Sequence, residues 1–134
     1  MIRVGIIGFG FMGKLHLKLY NQIEGVTVAA ICDTDEEKLQ GKGRMSGNID
    51  TGKNEIDLSG IELYTDFEEM LEKANLDALS VTLPTYMHKE HTIKALEAGL
   101  NVLCEKPMAM NVKECDEMVE AAKKAGKRLQ VGHC

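Results

Sequence analysis

The chain has 134 residues, one ordinary domain, and folding at that length buries roughly two-thirds of the unfolded surface, enough for a core without staples. Its 44% hydrophobic and 28% charged residues are globular values that argue against disorder, and sixteen basic against twenty-one acidic residues (net −5) offer no basic surface to nucleic acid or an anionic membrane. Cysteines at 32, 104, 115 and 134 form no Cys-x-x-Cys pair, which disfavours zinc and a disulfide framework and points to reduced thiols in a cytoplasmic protein.

The first apolar run, Val4–Ile7, is too short for a signal peptide (about 7–15 residues) or a membrane span (about 20). From there, short apolar runs alternate with amphipathic stretches. The pattern predicts strands at Ile2–Ile7, Val26–Cys32, Ile61–Tyr64, Ala78–Val81, Val102–Cys104 and Leu129–Val131. Between them it predicts helices at about 11–23, 35–45, 66–74, 86–98 and 112–125. The last is the clearest, with Asn111 and Glu114 as a capping box and Gly126 as a stop. Such alternation builds right-handed βαβ units. The expected fold is therefore α/β, a Rossmann-type doubly wound parallel sheet of about six strands with helices on both faces. Residues 41–60, with five glycines in a polar stretch, break the rhythm and read as an insertion, either a flap or a plain surface loop.

The first strand runs into Gly8-Phe9-Gly10-Phe11-Met12-Gly13, a G-x-G-x-x-G between strand and helix. Gly8 permits the tight turn, Gly10 lets the backbone approach a pyrophosphate, and Gly13 lets helix and strand pack closely. Phe11 and Met12 open the helix, whose unpaired N–H groups and positive dipole end attract phosphate. Asp33 lies 20 residues beyond Gly13, at the end of the second strand, where a carboxylate accepts from the adenosine ribose hydroxyls. Asp35, Glu36 and Glu37 follow, with no arginine for a 2′-phosphate, so NAD is expected over NADP. The plain alternative for Asp33 is a cap for the next helix, though Thr34 could serve there.

Thr82, Leu83, Pro84 and Thr85 leave the fourth strand toward the crevice, and His88 stands in the first turn of the next helix. The dipole there favours a neutral ring making one hydrogen bond. His16 and His91 read as ordinary helix positions. The fifth strand ends in Cys104-Glu105-Lys106-Pro107. An acid and a base at that mouth can steer a substrate hydroxyl and a nicotinamide amide, or form a surface ion pair before a proline turn.

Taken together, Gly8–Gly13, Asp33, the Pro84 to His88 segment and Glu105-Lys106-Pro107 resemble the N-terminal domain of the glucose-fructose oxidoreductase/inositol dehydrogenase (Gfo/Idh/MocA) family, over the whole chain. The resemblance implies an NAD-dependent oxidoreductase that moves a hydride between the nicotinamide and a secondary alcohol of a sugar or cyclitol. It also implies that Lys106 contacts the reacting region, with a Lys106–Pro107 peptide that is often cis. Leu83-Pro84-Thr85 departs from that family's usual Thr-Pro-Asn, which weakens Thr85 as a cofactor contact. The resemblance further implies a second domain for substrate and homo-oligomer contacts, so residues 1–134 are expected to be a fragment that binds nucleotide but does not turn over alone. Met87, Met108 and Met110 are either surface for that domain or core filler. The rival readings are a stand-alone NAD(H)-sensing module, for which Glu105-Lys106-Pro107 has no evident use, and the first domain of a biliverdin, aspartate or dihydrodipicolinate reductase type.

Overall fold

The computed structural model describes residues 1–40 and 56–133. Six strands form one parallel sheet: β1 (Ile2–Ile7), β2 (Val26–Cys32), β3 (Glu62–Tyr64), β4 (Ala78–Val81), β5 (Asn101–Glu105) and β6 (Leu129–Gly132). Their order is β3-β2-β1-β4-β5-β6, so the winding reverses between β1 and β4 and opens a crevice at their C-terminal ends. The α-helices are α1 (Phe11–Tyr20), α2 (Phe67–Lys73), α3 (His88–Glu97) and α4 (Val112–Ala125).

Two apolar cores cover the sheet. Met70, Ala95, Leu96, Met118 and Ala122 of α2, α3 and α4 pack with Ile7, Leu79, Val81 and Val102. Leu17 of α1 packs on the opposite side with Ile6, Phe9, Val28 and Ile31. A register shift in the β1–β2 pairing passes over Ala29. Strand alternation is thereby offset by one, and Val28 and Ile31, three apart, face the same core.

The predicted helix at 35–45 is not found among the described residues, which hold only a 3-10 turn at Lys38–Gln40; positions 41–55 lie outside them, with most of the predicted insertion. Asp33 accepts from the Asp35 N–H at 2.8 Å and Asp35 from the Glu37 N–H at 3.0 Å, two successive Asx turns that lead into the 3-10 turn. The helix predicted to reach residue 23 stops at Tyr20, where Asn21, Gln22 and Ile23 tighten into turns before Gly25. That predicted over 86–98 divides into a 3-10 turn, Thr85–Met87, and α3.

Candidate functional site

Helices α2 and α4 are capped by their own side chains, Asp66 on the Glu69 N–H and Asn111 on the Glu114 N–H. Helix α1 has no side-chain cap and no acid in its first turn. Its cap residue is Gly10, and its opening N–H groups face a cleft of about 530 Å³ lined by Gly8, Gly10, Phe11 and Met12. A half-buried helix start left open in this way suits an anion.

The three glycines differ in what surrounds them. Gly8 has φ +92°, and a Cβ there would stand 2.9 Å from the Thr82 carbonyl oxygen. A methyl on Gly13 would run into the Gly8 carbonyl, so that position fixes the contact of α1 with the end of β1. At Gly10 a methyl would meet nothing within 4 Å. That residue is small toward open cleft, the space a ligand's phosphates can take.

Asp33 is buried, and each carboxylate oxygen accepts one backbone N–H, from Phe9 at 2.8 Å and from Asp35 at 2.8 Å. The carboxylate thus ties the glycine loop to the end of β2 and keeps lone pairs for hydroxyl donors in the cleft. Beside it, burial, with help from the Asp33 and Asp66 charges, pushes the Cys32 thiol up to about 12. Burial likewise raises Cys104 to about 11. Both are inert, protonated thiols at neutral pH.

From β4, Thr82, Leu83 and Pro84 line the same cleft. The Thr82 hydroxyl is 2.6 Å from the Gly8 carbonyl oxygen and 3.1 Å from that of Ile7, so it braces the loop. Thr85 opens the 3-10 turn and does not line the cleft. His88 is buried, and its expected single hydrogen bond is corrected to two carbonyl partners, Leu83 at 2.7 Å from Nε2 and Pro107 at 2.9 Å from Nδ1. A neutral ring donates to one of them; only the protonated ring serves both. The ring thus lies between the loop after β4 and the loop after β5.

Lys106 is exposed at the end of β5, and the Lys106–Pro107 peptide is cis. Neither Glu105 nor Lys106 lines the cleft. Oε1 of Glu105 lies 2.7 Å from Nε2 of His16, which is therefore more than an ordinary helix position. Because a carboxylate only accepts, Nε2 carries a proton. In the neutral ring Nδ1 then accepts from the Ser80 hydroxyl at 3.1 Å, which in turn accepts from the Tyr20 hydroxyl at 2.6 Å. One directed chain of hydrogen bonds therefore joins α1, β4 and β5 beneath Lys106.

The cleft also holds residues that the motifs did not mark: Thr65 and Phe67 after β3, Lys38, and Met87 and His91 at the start of α3. His91 lies three residues beyond the inward-facing His88, a spacing that places both on one helical face. Of the methionine corner, Met108 packs against the core while Met110 is exposed.

Comparison with known proteins adds context. The Gfo/Idh/MocA family model, described as an oxidoreductase family with an NAD-binding Rossmann fold, matches residues 2–133. Inositol 2-dehydrogenase of Klebsiella pneumoniae is 36% identical over 98% of this chain and 36% of its own length. A 2,7-anhydro-N-acetylneuraminate hydratase of Mediterraneibacter gnavus is 32% identical over 96% of this chain and 30% of its own length. The crystal structure of the WlbA dehydrogenase from Bordetella pertussis, in complex with NADH and UDP-GlcNAcA, superposes with a TM-score of 0.82. It is 31% identical, over 98% of this chain and 36% of that one. The chain thus spans about a third of the length of the relatives it matches.

Proposed function

The chain belongs to the Gfo/Idh/MocA oxidoreductase family, as its NAD-binding Rossmann domain, and on that premise we propose that its cleft holds NAD(H) for a hydride-transfer enzyme acting on a sugar, cyclitol or similar secondary alcohol. One observation carries the cofactor reading. An uncapped helix start, a glycine open to the cleft and a buried carboxylate with lone pairs to offer all meet at the reversal of the sheet.

In this reading Asp33 accepts from the adenosine ribose, the N–H groups of Phe11, Met12 and Gly13 meet the pyrophosphate, and Leu83 and Pro84 flank the nicotinamide side. Thr85 is the weaker contact there. The bound nicotinamide supplies the hydride chemistry. His88, between the Leu83 and Pro107 carbonyls, is assigned to bracing the loop that leads from Lys106, through both bonds when the ring is protonated and through one when it is neutral. Glu105 is assigned to holding that strand end through His16 rather than to touching the cofactor. Lys106 is the proposed catalytic residue, its ammonium polarising the reacting oxygen. The names of the relatives support a polyhydroxylated substrate, and the residues that select it are proposed to lie outside these 134 positions, in a part that also carries homo-oligomer contacts. Among the described residues no helix is long and apolar enough to cross a membrane, and we assign the protein to the cytoplasm on its cysteine usage.

The test is a titration followed by dihydronicotinamide fluorescence, in a chain without tryptophan. NADH should bind saturably, NADPH more weakly, and Asp33→Ala should weaken NADH by roughly tenfold or more. NADPH binding as well as NADH would overturn the choice of cofactor, and binding of neither would overturn the reading of the cleft.

A further inference from the structure

The cleft is also lined by Thr65, Phe67, Met87 and His91, which the ribose, pyrophosphate and nicotinamide contacts leave unused. His91 is held there from two sides. Its Nδ1 lies 3.0 Å from the Met87 carbonyl oxygen, and its ring packs on Phe67 with centroids 5.0 Å apart at 44°. A carbonyl only accepts, so Nδ1 carries the proton. Nε2 of the neutral ring is then a bare lone pair with no proton to give. Apolar lining from Met87 and the edge of the buried Phe67, combined with one fixed acceptor, suits a planar base that presents an amino group.

Resting on NAD(H) as the occupant, we propose that His91 is a specificity-determining residue for the base, its Nε2 accepting from the exocyclic amino group of adenine. A base with a carbonyl oxygen at that position would set acceptor against acceptor and leave both unpaired. A purely structural His91, stapling the first turn of α3 to Phe67, would be indifferent to that exchange.

The probes are NADH and reduced nicotinamide hypoxanthine dinucleotide, which differ only at the base and share the same fluorescence. The wild-type chain should hold NADH roughly tenfold more tightly than the hypoxanthine analogue. His91→Phe, which keeps a ring against Phe67, should hold the two within about twofold, the affinity for the analogue matching wild type and showing the site intact. If the phenylalanine variant does not fold, His91→Ala answers the same question, and the wild-type comparison needs no variant. Equal affinities in wild type, or a preference that survives loss of the imidazole, would overturn the assignment while leaving NAD(H) binding in place. Failure of wild type to bind either dinucleotide would instead strike the cofactor reading.

Discussion

Gly10 and Gly13 are three residues apart in one motif, yet the structure separates what they do, and alanine at each tests that separation. At Gly13 a methyl would collide with the Gly8 carbonyl and lie 3.1 Å from the Thr82 hydroxyl, which itself contacts that carbonyl at 2.6 Å. Relief requires α1 to move away from the end of β1. Overpacking of this kind costs about 1–3 kcal/mol, and loss of the Thr82 contact about 1 more. The better helix propensity of alanine offsets about 1 kcal/mol. The net loss of about 1–3 kcal/mol, at about 4 °C per kcal/mol for this length, lowers Tm by roughly 4–12 °C. At Gly10 the methyl meets nothing, so Gly10→Ala should change stability by about 1 kcal/mol or less. It should nonetheless weaken NADH by roughly tenfold or more, since it fills the space next to the uncapped N–H groups. Thermal melts and fluorescence titration on the two variants separate the effects. A Gly13→Ala melt at the wild-type temperature would refute the packing argument, and unchanged NADH binding by Gly10→Ala would reduce the glycine loop to a turn.

The His16–Glu105 pair, half-buried and 2.7 Å apart, should show a coupling of about 1–3 kcal/mol in a urea-denaturation double-mutant cycle of His16→Leu and Glu105→Ala. Single-variant losses that simply add would sink the idea that the two hold β5 and α1 together. Alkaline stability follows from Cys32. Below its unfolded value of 9.0 both states keep the proton. Above that the unfolded chain releases it while the native thiol holds on up to about 12, so stability falls as pH rises through this window. Cys32→Ala should show a shallower decline between pH 9 and 11 by chemical denaturation, and parallel curves would contradict it.

Periodicity and spacing carried the sequence reading as far as local physics reaches. Apolar or nearly apolar runs marked the strands to within a residue; the reason, coverage on both faces, holds for the inner strands β1, β2 and β4, while the edge strands β3 and β6 are less covered. The glycine spacing and Asp33 were legible because each answers a steric or hydrogen-bonding demand of its own turn. Of the helix predicted over 35–45, the described part holds Asx turns at Asp33 and Asp35 and a 3-10 turn at Lys38–Gln40, in a stretch whose one buried apolar side chain is Leu39. Nothing local could reveal that His16 meets Glu105 across 89 positions, that His88 reaches Pro107, or that His91 packs on Phe67. The first two contacts exist because β4 lies between β1 and β5 and brings α1, α3 and the loop after β5 together, and the third because α2 and α3 pack in one core. The sequence by itself determined the strands, the alternation and the glycine–acid register. Which polar side chains meet around that register was decided only by the order in which the strands assemble, since a single side chain's pattern carries no information about a partner chosen by the sheet.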